Sequence, residues 1–155
     1  MLHRIWTTEN GVMVRPTMSF DERGHRPNHK VYYVEGFGPE GQKPEAFFPA
    51  VESFLGEGGT YLHPRAVYEQ YPGVKAGSRA EGREAMGAFR FPAITLAPGQ
   101  EAHYVLLLGV EDSEEAVNAI WDKYHSWEQC WMRPAATGKR RSMSLSAPET
   151  RTLTT

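Results

Sequence analysis

The sequence predicts a mainly β fold: an antiparallel, sandwich-like sheet with one C-terminal amphipathic helix packed on or beside it. Three adjacent signals between Ala88 and Trp131, which together read as a hairpin delivering a helix, carry that expectation. Ala88–Leu96 is rich in aromatic and β-branched residues and reads as a strand, with Pro92 placing it at an edge or a bulge. Ala97-Pro98-Gly99-Gln100 is turn chemistry, because Pro98 presets φ and Gly99 can take the positive φ of position i+2. Tyr104–Val110 is a continuous apolar run that suits a strand buried on both faces. Asp112 or Ser113 then offers an N-cap, with Glu115 completing an approximate capping box. Val117, Ile120, Trp121, Tyr124 and Trp131 fall at helical spacing, so the helix is expected over Ser113–Trp131. The predicted core is Phe89, Phe91, Ile94, Leu96, Tyr104, Leu106, Leu108, Val117, Ile120, Trp121 and Tyr124.

The preceding chain fits the same class. Leu2–Thr8 reads as a short strand, and Asn10-Gly11 is a two-residue hairpin signal. Val12–Phe20 alternates loosely, with Pro16 suggesting an edge or bulge. Asp21–Asn28 is polar and reads as a loop, Lys30–Glu35 as a strand, and Gly36–Pro44 as a turn. Glu45–Leu55 matches helical spacing through Phe47, Phe48, Val51, Phe54 and Leu55, with Gly56 and Gly58-Gly59 ending it. Tyr61–Tyr71 is of mixed polarity and broken by Pro64. Pro72–Gly87 reads as a mobile surface loop with a helical turn at Ala80–Met86. Residues 133–155 hold Lys139-Arg140-Arg141 and a Ser/Thr-rich end, too poor in large apolar groups to offset ordering entropy, and are expected to be disordered. The chain thus divides into a sandwich-like domain, 1–132, and a tail, 133–155.

A chain of 155 residues is one domain of ordinary size. With 23% charged residues and a formal net charge of −2, nothing draws it to nucleic acid or to a membrane. Cys130 is the only cysteine, which fits a reducing compartment. The N-terminal residues lack the apolar core of a signal peptide, and no apolar run approaches the ~20 residues of a spanning helix. A cytoplasmic protein is expected.

The chemical candidates are few. His25 and His29 stand four apart, but Pro27 lies between them and a hydrogen-bonded loop is the better reading than a metal site. Glu35, Glu45, Glu52 and Glu57 include no pair that sequence can place at a working separation for acid/base catalysis. GFGPEG and GEGG lack the Lys-Ser/Thr of a phosphate loop. Lys139-Arg140-Arg141 has no interleaved aromatics and reads as a solvated tail. Trp121, Trp127 and Trp131 could stack on sugar rings, but on an amphipathic helix they read as core. Phe37, Tyr61, Tyr68 and Tyr71 lie in turn-rich stretches where an exposed aromatic platform for a carbohydrate could form. No catalytic residue, metal or cofactor is expected.

Glu45–Val67, EAFFPAVESFLGEGGTYLHPRAV, resembles a segment of the carbohydrate phosphorylases related to cellobiose phosphorylase, in which a Phe-Leu-Gly turn precedes Pro-Arg-Ala-Val. Glu84–Val110 is similar to the portion of that family leading through Leu-Ala-Pro-Gly-Gln to an apolar strand ending in Leu-Gly, and Asp112–Trp131 to the helix that follows. The resemblance runs from about Ile5 to Trp131 and rests on structural turns. It implies the later part of a β-sandwich domain similar to galactose mutarotase. In such enzymes an (α/α)6 barrel carries the general-acid Asp and the phosphate site, and no position here matches that Asp motif. The resemblance therefore implies a non-catalytic sandwich, a fragment or truncated relative, serving architecture, subunit contact and the rim of a sugar cleft. An independent carbohydrate-binding module is the runner-up, and an interaction protein pairing through open sheet edges the third reading. The partners expected are an oligosaccharide and either a second copy or the missing domain.

Overall fold

A computed structural model describes residues 3–22 and 24–132. In chain order its elements are β1 (His3–Thr7), β2 (Gly11–Pro16), β3 (Met18–Asp21), β4 (Gly24–Pro27), β5 (Val31–Phe37), β6 (Ala46–Ala50), α1 (Val51–Leu55), α2 (Arg65–Tyr68), β7 (Arg79–Glu81), β8 (Ala85–Arg90), β9 (Val105–Glu111), α3 (Glu114–Tyr124) and α4 (Trp127–Met132). A five-stranded antiparallel sheet in the order β7-β1-β2-β5-β9 forms the centre. β6 and β8 make a second, two-stranded sheet, and β3 and β4 a separate hairpin. The mainly β, antiparallel sandwich expected from the sequence is the fold observed.

Register decides what each face of the central sheet carries. Ile5, Val14, Tyr32 and Val110 stand in one cross-strand row, and Thr7, Val12, Val34 and Leu108 in another. Because side chains alternate along a strand, these rows share a face. On it, Ile5 and Val12 pack with Phe47, joined by Val14, Val34, Ala80, Ala85 and Phe89. The opposite face presents Met13, Val31 and Tyr33, which bury Val117 of α3 together with Trp6, Leu107 and Ile120. The molecule thus has three layers, with the central sheet between a helix and a second sheet.

Two strands cannot cover five. Among the described residues, nothing covers the face of β5 and β9 turned toward β6 and β8: Tyr32 is 41% exposed, Leu106 55%, Leu108 70% and Val110 47%. β9 is also an edge strand, so among the described residues its outer backbone groups have no ladder partner in the sheet.

Several expectations are corrected by this arrangement. Ala88–Leu96 and Tyr104–Val110 do not pair as a hairpin; β8 joins β6 while β9 joins β5, and residues 91–104 cross between the sheets. The turn between them is as predicted, with Gly99 at φ 80° and the Gln100 amide donating to the Ala97 carbonyl at 2.9 Å. Ile94, Leu96, Tyr104, Leu106 and Leu108 were expected in the core and are 38–70% exposed: Ile94 and Leu96 lie in the crossing segment outside any strand, and Tyr104–Val110 faces the helix on one side only. Glu45–Leu55 is not one helix. Its phenylalanines pair across to β8, the register shifts at Pro49, which has no N–H to donate, and only Val51–Leu55 is helical. Gly24–Pro27, expected as loop, pairs with β3, and Ala80–Met86, expected as a helical turn, supplies β7 and the start of β8.

Pro64 does not break its segment; it stands at the N-cap of α2. The helix expected over Ser113–Trp131 is two helices, with His125 as the C-cap of α3 and α4 starting at Trp127. Ser113 is the N-cap, its hydroxyl accepting from the Ala116 amide at 3.2 Å, and its hydrogen bond to Glu115 holds that carboxyl below the usual range. The tail expected to be disordered, 133–155, lies outside the described residues.

Candidate functional site

The segment after α1 builds an aromatic prominence. Gly56 and Gly58 take φ of 71° and 74°, which reverses the chain directly after Leu55. Thr60 and His63 exchange backbone hydrogen bonds at 3.2 and 3.0 Å, closing a tight loop that carries Tyr61 and Leu62 at its tip. α2 then returns Tyr68 beneath His63, whose ring stacks on it at 3.8 Å between centroids and 8° between planes. Tyr61 is 65% exposed, Leu62 92% and Tyr68 60%.

Arg65 ties this prominence together. Its Nε and Nη2 donate to the two carboxylate oxygens of Glu69 at 2.7 and 2.6 Å, and its Nη1 donates to the Glu57 carbonyl at 2.8 Å. The guanidinium also lies over the Tyr71 ring, 5.1 Å from its centroid. This forked bonding raises the Arg65 pKa further and lowers that of Glu69. Of the four aromatics expected to form a platform, Tyr61 and Tyr68 are on the prominence and Tyr71 is half-buried beside it. Phe37 is elsewhere. It is 3% exposed and meets Trp121 edge-on at 5.8 Å, so it belongs to the helix-facing core.

The four carboxylates considered for acid/base work occupy separate settings. Glu45 pairs with Arg90 at 2.9 Å, Glu52 pairs with Arg83, and Glu57 is exposed in the glycine turn. Glu35 is buried in β5, opposite Gly11 and Leu107. Its Oε1 accepts from the Thr8 hydroxyl at 3.2 Å, while its Oε2 is buried without a partner. Burial, reinforced by Glu114, pushes its pKa up to about 7 against the pull of the Thr8 hydrogen bond. At 1% exposure Glu35 is closed to any substrate, so its chemistry acts on the fold. Sequence could place Glu35 in a strand but not its face, which depends on pairing to β2 and β9.

His25 lies in β4, and His29 follows it in the connection to β5; both are exposed. Among the described residues no group of three or more His, Cys, Asp or Glu could hold a metal. No helix among them is long and apolar enough to cross a membrane.

No curated protein matches the chain. A family model does: the glycosyl hydrolase 94 supersandwich domain matches residues 17–127, from the end of β2 through the start of α4. That span holds both sheets' later strands, the aromatic prominence and the helix, and well over half of the sequence, so the chain belongs to the glycosyl hydrolase 94 family through its supersandwich domain.

Proposed function

We propose that this chain is a non-catalytic sandwich lobe of its family, a scaffold whose open face is covered by further β-structure and whose aromatic prominence lies at the rim of a sugar-binding cleft. The observation that carries this reading is the apolar, uncovered surface over β5 and β9. A sheet that exposes Leu106, Leu108 and Val110 in a row has the pattern of a sandwich interior. In the purified chain, a second copy can cover it. The family's chemistry, phosphorolysis of a β-glucoside, belongs on this reading to an (α/α)6 barrel outside the described residues. The single cysteine fits a cytoplasmic setting.

Dye binding tests the open face. The chain is expected to bind 8-anilinonaphthalene-1-sulfonate, and Leu106→Lys/Leu108→Lys to lose most of that binding. Its stability should change by only about 0.5 kcal/mol per site, since both side chains are already largely solvated. Equal dye binding by the variant contradicts the proposal. Glucose 1-phosphate released from cellobiose and phosphate by the purified chain contradicts its non-catalytic part.

A second reading, direct carbohydrate binding, is favoured by the exposed rings of Tyr61 and Tyr68. Stacking a sugar on such rings gives weak affinity, with Kd in the range of about 1 mM. Calorimetry with cello-oligosaccharides is expected to show binding that Tyr61→Ala/Tyr68→Ala removes; a flat trace for the unaltered chain rules this reading out.

A further inference from the structure

At the end of the central sheet farthest from the β1–β2 turn, Arg4 and Arg15 stand directly opposite each other across β1 and β2. Like charges in that position repel. Together with Pro16, Thr17, Asn28 and His29 they line a cleft of about 230 Å³. The Arg15 Nε is buried without a hydrogen-bond partner, and its guanidinium is held 5.8 Å above the centroid of the Trp6 ring. Asn28 Oδ1 is engaged by the Lys30 amide at 2.9 Å, which fixes the side chain and leaves its NH2 group as a donor for the cleft.

Carboxylates do stand nearby. Glu81 is opposite Arg4 on β7, Glu111 is opposite Val31 on β9, and Glu115 feels the Arg15 charge. None of them forms an ion pair with either arginine among the described residues. The cleft lining itself is free of acids.

We propose that this cleft is a binding site for a compact oxyanion of the phosphate class, held between Arg4 and Arg15 with Asn28 and His29 at its margin. A tetrahedral dianion offers an acceptor edge to each guanidinium fork, and its charge converts the cross-strand repulsion into two attractions. Its volume admits orthophosphate or a small phosphomonoester. This inference stands independently of the open face and of the aromatic prominence.

Thermal melts in phosphate, against sodium chloride of matched ionic strength, test it. At ~20 mM phosphate and a Kd of about 1 mM, the melting temperature is expected to rise by roughly 4–6 °C over the chloride control. Arg4→Gln and Arg15→Gln should each abolish the rise, and Arg15→Lys, which keeps the charge but loses the fork, should weaken calorimetric affinity roughly tenfold. If Arg15→Gln fails to fold, the exposed Arg4→Gln decides. Parallel titrations with orthophosphate and glycerol phosphate distinguish the free ion from an ester; binding of either supports the site. No rise above chloride, or an equal rise in Arg4→Gln, overturns it.

Discussion

Replacing Gly11 by alanine is expected to cost about 3 kcal/mol or more and to lower the melting temperature by roughly 6–12 °C. Gly11 opens β2 directly opposite Glu35, and the two strands meet there backbone to backbone. A Cβ at position 11 would come 2.0 Å from the Val34 carbonyl oxygen and 2.6 Å from the Glu35 Cα. Neither is the end of a flexible side chain, so the β2–β5 ladder itself has to part. That ladder joins the two halves of the central sheet, and both cores depend on it. Gly77→Ala provides the contrast. At φ 80° it has open space around it, so only backbone strain of about 1–2 kcal/mol is expected. Denaturant titration of both variants checks the order, and a Gly11→Ala protein as stable as Gly77→Ala would contradict the close approach.

The second large effect is a pH dependence opposite to that of most carboxylates. Glu35 titrates near 4.5 when unfolded and at about 7 in the folded chain. Between those values the folded state holds a proton that the unfolded state has released. Stability therefore falls as pH rises through that window and levels off above it, by on the order of 3 kcal/mol. Glu9, Glu69 and Glu115 shift the other way, to values below 4.5, so they act on the acid side of this window. Glu35→Gln keeps an acceptor for the Thr8 hydroxyl and cannot ionise. It should remove the slope and be more stable than the unaltered chain at about pH 8. Because Thr8 Oγ1 also accepts from the Asn10 and Gly11 amides at 3.2 and 3.1 Å, the titration reaches the β1–β2 turn directly. Urea titrations at about pH 5 and pH 8 read it out; an unchanged slope in Glu35→Gln would remove Glu35 as its source.

The sequence spoke most clearly where a signal was local. Ser113 as N-cap, the Pro98-Gly99 turn, and the strands at β1, β5 and β9 follow from capping, turn and pattern chemistry alone. Gly11 shows the boundary of such reasoning. Asn10-Gly11 suggested a two-residue turn, yet Gly11 is the first residue of β2, required by the approach of β5, a strand twenty residues further on. Phe47 and Phe48 matched a helical period because Pro49 forces a register shift that strand periodicity does not contain. The apolar run at Tyr104–Val110 implied burial on both faces, whereas only Val105, Leu107 and Gly109 turn toward the helix layer. The exposure of Tyr61 follows from its turn setting, while Phe37 has its face set by pairing with β9. The Arg4–Arg15 cleft was invisible, since cross-strand opposition of two charges exists only once the register is fixed.

Mass measurement by light scattering across a concentration series addresses the uncovered sheet face most directly. The unaltered chain is expected to exceed the 17.5 kDa of a monomer increasingly as concentration rises, and Leu106→Lys/Leu108→Lys to remain at that mass throughout. A monomer at every concentration for the unaltered chain would mean that Leu106, Leu108 and Val110 rest stably in water, and would contradict a sandwich awaiting its covering strands.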